Sequence, residues 1–175
     1  MQVGVKSLNS GAVLDRVLMC NVDTMLYDYV SKDKIKKFWD NLSDEDIAEM
    51  ASWTYQQFLE RINKACCYYL KRNGKIIAIG GTYPDDARIC LWLLVTRQAS
   101  KYPLSLIKAV RKGIKKDLGI YPKNVFHNVI AMPNRLSINH CSFLEKVLDM
   151  AHLGVMDTYA LYGASQKELF ECVSQ

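Results

Sequence analysis

Trp92–Ile114, WLLVTRQASKYPLSLIKAVRKGI, is the stretch that decides the fold. It begins as an apolar run, passes through a short turn at 97–103, and continues with apolar residues at helical spacing. An almost unbroken apolar run is typical of a central strand covered on both faces, and the later spacing predicts an amphipathic helix. A strand end that faces a helix N-terminus is a common place to hold a phosphate-bearing cofactor. The turn is therefore a candidate cofactor site, although it contains no glycine.

The composition indicates one globular domain. The chain has 175 residues, of which 50% are hydrophobic and 23% charged, with a net charge of +5. No apolar run approaches the ~18 residues that a membrane span requires, and the N-terminus lacks the pattern of a signal peptide. We therefore expect an intracellular or virion-interior protein. The six cysteines show neither C-x-x-C pairs nor zinc-ligand spacing, so we expect no metal site.

Residues 1–64 are predicted to form a helical N-terminal part. Apolar residues recur at helical spacing over 11–30, which predicts a first helix. Ser43, followed by three acidic residues, is a predicted N-cap of a second helix that continues to Ile62.

Residues 65–175 are predicted to form a sheet-and-helix core of the order β-β-β-α-β-α-β. Asn73-Gly74 predicts a two-residue hairpin turn between the first two strands. Gly80-Gly81 is expected to end the second strand, and Pro84-Asp85-Asp86 to form the next turn. The remaining predicted elements are the helix 104–118 ended by Gly119, the strand Asn124–Met132, the helix Asn134–Met150 and one or two strands between His152 and Ala164. The central strand and the strand after the helix are expected to be parallel, joined by a right-handed crossover.

This order resembles the GNAT (Gcn5-related N-acetyltransferase) family over about Tyr68–Tyr162. KIIAIGG, the strand end LLVT, the basic helix and HCSFLEK look more narrowly like the GNAT-like internal virion proteins of short-tailed phages. The resemblance implies an α/β fold with a mixed central sheet, two N-terminal helices and a crossover helix.

The resemblance also places the cofactor's phosphates at the strand end and turn, around Val95, Arg97, Gln98, Ser100 and Lys101. GNAT enzymes usually carry R/Q-x-x-G-x-G/A there, because glycines let backbone N–H groups approach a pyrophosphate. A motif that starts at Gln98 places Lys101 and Pro103 at the glycine positions. A motif that starts at Arg97 places Ser100 and Tyr102 there. Neither register supplies a glycine, and Pro103 lacks an N–H donor.

The family's second motif, N-x-x-A-x-x-x-Y-x-K, is also incomplete. Aligned on Leu-Glu-Lys, the motif places Ser137 at the asparagine and Leu144 at the tyrosine that commonly protonates the leaving thiolate. Asn134 and Asn139 are interpreted as cap or surface residues. No catalytic residue is assigned: Asp85, Asp86 and Arg88 fit an ordinary turn, and a lone His127 or His140 is more often structural than catalytic.

The sequence therefore favours a GNAT-fold phage virion-associated protein, internal or involved in assembly, with a structural or interaction role and no bound cofactor. The alternative is an active N-acetyltransferase that transfers acetyl from acetyl-CoA to an amine. Expected partners are other virion proteins or a second copy of the chain. A third interpretation is nucleic-acid binding through the basic residues opposite the apolar stripe of helix 104–118, which are Lys108, Arg111, Lys112, Lys115 and Lys116.

Overall fold

The computed structural model describes residues 17–20, 25–28, 32–64, 66–85, 87–119, 121 and 128–174. The strands are β1 Val17–Cys20, β2 Met25–Asp28, β3 Cys66–Arg72, β4 Lys75–Asp85, β5 Arg88–Val95, β6 Asn128–Ala131, β7 Ala151–Met156 and β8 Tyr159–Ser165. The helices are α1 Lys32–Trp39, α2 Asp44–Glu49, α3 Tyr55–Lys64, α4 Pro103–Leu118, α5 Ile138–Val147 and α6 Gln166–Cys172. Among these described helices, none has the length and hydropathy needed to cross a bilayer.

One mixed sheet contains all eight strands, in the order β2-β1-β3-β4-β5-β6-β8-β7. The pairs β1–β3 and β5–β6 are parallel and the others are antiparallel. The predicted parallel pairing of the central strand with the strand after α4 is therefore confirmed. Helix α4 makes the crossover between them.

The hairpin between β3 and β4 turns at Asn73-Gly74, as predicted. Both residues have positive φ, 49° and 74°, which asparagine and glycine tolerate better than other residues. The prediction that Gly80-Gly81 ends the second strand is wrong, because β4 continues to Asp85. A Cβ on Gly80 would lie 2.7 Å from the Trp92 carbonyl oxygen, so Gly80 allows β5 to approach β4 closely.

The predicted helix over 11–30 is wrong where the structure describes it, because 17–20 and 25–28 are antiparallel strands. Residues 11–16, 21–24 and 29–30 lie outside the described part. Apolar spacing alone did not separate a helix from two short strands, which is a common ambiguity. Ser43 caps a helix as predicted, since its Oγ accepts the Asp46 N–H at 3.1 Å. The helix that it begins ends at Glu49, however, and α3 starts separately at Tyr55.

Two helical layers cover the first part of the sheet. Helices α1 and α3 pack their aromatic residues, Phe38 and Phe58 among them, on one face against Tyr69, Ile79 and Leu94. On the opposite face, Leu106 and Ala109 of α4 pack against a second cluster of buried residues, which are Tyr68, Leu70, Ile77 and Ala78. A third cluster joins α4, α5 and α6 to β6 and β8.

Helix α4 begins with Pro103 in its first turn and ends at Gly119, as predicted. The predicted stripe is corrected at Leu104, which is 73% exposed because it lies at the helix start, outside the packed part. Arg111 is also not on a free basic face. Its guanidinium donates to the Val147 carbonyl at 3.0 Å and ties α4 to α5.

The later elements differ in their bounds from those predicted. Strand β6 is described from Asn128, and His127 lies outside the described residues. Helix α5 covers only Ile138–Val147 of the predicted Asn134–Met150. The two final strands are confirmed, and α6 follows them with a capping box built by Ser165 and Glu168.

Candidate active site

A cleft opens in the middle of the sheet, where β5 and β6 separate. Their parallel pairing ends at Cys90 and Ile130, although β5 continues to Val95. The resulting cavity is about 1010 Å³. Its lining includes Leu106 and Val110 of α4 on one face of the sheet, and Met50 and Phe58 on the other. The cavity therefore extends from the layer of α4 on one face to the layer of α2 and α3 on the other.

Helix α2 bounds the end of the cleft near Val95. The Val95 N–H donates to Asp46 Oδ2 at 3.1 Å, and the Val95 carbonyl accepts the Ser43 N–H at 2.9 Å. Both backbone groups of Val95 are therefore occupied by the chain itself. Backbone direction alternates along a strand, so the N–H of Leu93, two residues earlier, also faces the cleft.

The turn after β5 uses most of its N–H groups internally. Those of Thr96, Arg97, Ala99, Lys101 and Tyr102 donate to carbonyls of the chain, and Ala99–Lys101 forms a 3-10 turn.

The side chains of this turn are partly committed as well. The Arg97 guanidinium pairs with Asp44 Oδ1 at 2.8 Å, and Ser100 Oγ donates to the Arg97 carbonyl at 3.0 Å. Gln98 and Lys101 are exposed. Because most N–H groups and two side chains of the turn already have partners within the chain, the turn offers few donors to a pyrophosphate.

An acidic face of α2 contacts the start of α5 across the cleft. The Glu49 carboxylate lies 2.9 Å from His140 Nδ1, and Asp46 Oδ1 lies 3.7 Å from His140 Nε2. One residue before Asp46, Glu45 Oε1 accepts the Asn139 side-chain amide at 2.6 Å. His140 therefore does not stand alone. Asn139 is exposed, in agreement with its interpretation as a cap or surface residue, and its amide donates to Glu45.

Burial and charge shift the ionisation of this group. Burial raises the pKa of Asp46 to about 6, although the nearby imidazole and the Ser43 hydroxyl oppose the shift. Burial acts to lower the pKa of His140, but the hydrogen bond to Glu49 and the charge of Asp46 outweigh it, so that pKa is raised. Asp46 and His140 therefore favour a state in which they share one proton or form an ion pair.

The remaining sequence-based candidates lie as follows. Leu144 is buried and lines the cavity, so the position of the family tyrosine faces the cleft without a proton donor. Ser137 is buried beside Glu45, with its Oγ 3.4 Å from the carboxylate. Asn134 forms a local turn by accepting the Leu136 N–H at 3.0 Å. Asp85 ends β4 and pairs with Arg88, the first residue of β5. The predicted turn at Pro84-Asp85-Asp86 is corrected, because Pro84 and Asp85 belong to β4. Asp86 lies outside the described residues.

Sequence reasoning missed the pairing of Asp46 and Glu49 with His140. The two acids stand three residues apart, which places them on one helix face, but they also fit the acidic first turn of any helix. Nothing local in the sequence indicates that α5, more than 90 residues later, meets that face.

No family model and no curated protein matches the sequence. Solved structures do match it. The PaiA N-acetyltransferase from Thermoplasma acidophilum, in complex with coenzyme A, has a TM-score of 0.56 at 8% identity, covering 78% of this chain and 95% of that one. The ribosomal-protein-S18-alanine N-acetyltransferase from Escherichia coli has a TM-score of 0.56 at 10% identity, covering 78% and 90%. An uncharacterized protein from Bacillus halodurans has a TM-score of 0.62 at 12% identity, covering 83% and 86%.

The chain has the GNAT fold. At these identities the likeness concerns the fold alone. In this chain, the His140 imidazole and the carboxylates of Asp46 and Glu49 lie at one side of the opening between β5 and β6. The turn 97–103, which contains no glycine, lies at its end.

Proposed function

We propose that the protein is an acetyl-CoA-dependent N-acetyltransferase that uses His140 as its general base. The observation that carries the proposal is the Glu49–His140 pair in the wall of the cleft between β5 and β6. The GNAT fold supports it, since two of the similar structures are N-acetyltransferases and one of them contains coenzyme A.

The cleft fits the thioester end of the cofactor better than its nucleotide end. The cavity of about 1010 Å³ has room for a pantetheine arm, and the Leu93 N–H faces it beyond the end of the β5–β6 pairing. The pyrophosphate would meet a closed turn, with Lys101 and the ion-paired Arg97 as its nearest cations. We therefore expect weak affinity for the cofactor, because exposed charges are screened by salt.

The cofactor would supply an activated acetyl thioester, and the chain would supply the proton acceptor. When Nδ1–H donates to Glu49, the lone pair of Nε2 is free to accept a proton from an amine. Glu49 fixes the ring orientation and the tautomer. Asp46 stabilises the imidazolium that results.

The test is thiol release from acetyl-CoA with a panel of primary amines. We expect His140→Gln to reduce kcat by about 100-fold or more, while His152→Gln, at the exposed edge strand β7, keeps wild-type activity. Calorimetry with acetyl-CoA measures binding of the cofactor separately from catalysis. An unchanged kcat in His140→Gln would show that His140 is not the general base.

A second candidate function is a non-catalytic one, as a phage virion-associated protein with a structural or assembly role. The occupied backbone of Val95 and the closed turn favour it, since both reduce what a cofactor can contact. Absence of heat on titration with acetyl-CoA, together with absence of thiol release, would support this candidate over the first.

A further inference from the structure

The cluster of Asp46, Glu49 and His140 has the composition and spacing of a metal site. One ligand atom from each side chain lies within 4.8 Å of the other two. The acids come from one face of α2 and the imidazole comes from the first turn of α5. Glu49 and His140 are 17% and 18% exposed, so an ion can reach them from the cleft.

Each carboxylate is held by one oxygen and directs the other at the imidazole. Asp46 Oδ2 accepts the Ser43 hydroxyl at 2.5 Å and the Val95 N–H at 3.1 Å. Glu49 Oε1 accepts the Asn134 N–H at 3.3 Å, which leaves Oε2 facing His140. Hydrogen bonds of this kind orient ligands in metal sites before the ion binds.

Asp46 Oδ1 is the second, independent observation. The side chain is 0% exposed, and Oδ1 has no hydrogen-bond partner within the part of the chain that the structure describes. A buried carboxylate oxygen without a partner is costly. Across the same described residues, Glu45, Asp46 and Glu49 form no ion pair with lysine or arginine, so one imidazole faces three acids.

We propose that Asp46, Glu49 and His140 bind a divalent transition-metal cation, with Zn²⁺ as the reference ion. Ligand distances of about 2.0 to 2.2 Å place two ligand atoms of one ion roughly 3 to 4 Å apart. The 2.9 Å between Glu49 Oε2 and His140 Nδ1 agrees with that spacing, and the ion would replace the hydrogen bond between these two atoms. Water completes the coordination on the side of the cleft. Mixed nitrogen and oxygen ligands suit Zn²⁺ or Co²⁺ better than Mg²⁺, which prefers oxygen and retains its waters.

The bound ion would fix α2 to α5 and occupy Nδ1, which leaves the proton of the neutral imidazole on Nε2. This second consequence rests on the proposed function, because Nε2 would then have no lone pair to accept the amine's proton. Zn²⁺ would then inhibit transfer. The binding site itself does not depend on that function.

The test is thermal unfolding of the EDTA-treated full chain with Zn²⁺, and separately the visible absorption of added Co²⁺. At a Zn²⁺ concentration about 100 times Kd, we expect Tm to rise by about 5 °C or more. Mg²⁺ should produce no such rise. His140→Gln and Glu49→Gln should lose both the rise and the Co²⁺ bands.

Two control variants separate this site from other Zn²⁺ ligands. His152→Gln removes an exposed histidine elsewhere, and Cys141→Ser removes the thiol next to His140; both should keep the full rise. Absence of a rise in the wild type would show that the cluster is an ion-pair network only. An equal rise in His140→Gln would place the ion elsewhere, and either result overturns the proposal. If His140→Gln does not fold, Glu49→Gln and the wild-type Co²⁺ spectrum decide the matter.

Discussion

Asp117 places a carboxyl group between α4 and the sheet, where it is 0% exposed. It accepts the Thr82 hydroxyl at 2.6 Å and also the Tyr68 hydroxyl. Burial raises its pKa from 3.8 to about 6, against the effect of these hydrogen bonds. Because the folded pKa is the higher one, its contribution to stability is fully present below about pH 4 and is lost as the pH rises through 6.

Asp117→Asn should therefore flatten the dependence of stability on pH. Relative to this variant, the wild type should lose about 1 to 1.5 kcal/mol of unfolding free energy between pH 5 and pH 7.5. Urea denaturation at the two values measures the difference. Parallel pH profiles would show that the carboxyl group titrates normally in the fold.

Leu93 and Leu94 are neighbours on β5 whose side chains face opposite sides of the sheet. Both line the cavity, but Leu94 is 5% exposed and packs in the cluster of α1 and α3, whereas Leu93 is only partly buried and packs in the cluster of α4. Leu94→Ala should cost about 2 to 5 kcal/mol. Leu93→Ala should cost clearly less, because its side chain is less buried and loses less packing. Equal costs in chemical denaturation would contradict the difference in burial between the two side chains.

At the scale of elements, helix α4 carries exposed lysine side chains and one arginine side chain that connects it to α5. Lys108 and Lys112 are exposed, while the Arg111 guanidinium donates to the Val147 carbonyl at 3.0 Å. We expect Lys108→Gln with Lys112→Gln to change the unfolding free energy by less than about 0.5 kcal/mol. Arg111→Gln should cost about 1 to 2 kcal/mol, since a charged hydrogen bond is lost. Salt-dependent binding of nucleic acid can be compared between the wild type and the same lysine variant. A large loss of stability in this variant would mean that the lysines are structural.

For the whole molecule, local signals in the sequence were enough for the central hairpin, the long strand and α4. Asn73-Gly74, the apolar run of β5 and the capped amphipathic helix each specify their own structure. The strands at 17–20 and 25–28 were missed, because β1 is defined by pairing with β3, nearly 50 residues later. The site was missed for the same reason, since His140 meets Asp46 and Glu49 only through the packing of α5 on the rest of the fold.

The separation of β5 from β6 has a consequence for hydrogen–deuterium exchange. Amides in the middle of an eight-stranded sheet are normally among the slowest to exchange, yet the Leu93 amide lies beyond the last β5–β6 pair at Cys90. We expect it to exchange much faster than the amide of Leu94, which faces β4. A compound that lies along the cleft should slow Leu93 selectively, so one amide reports occupancy without any knowledge of the reaction. Slow exchange of Leu93 in the free protein would mean that the cleft is closed in solution.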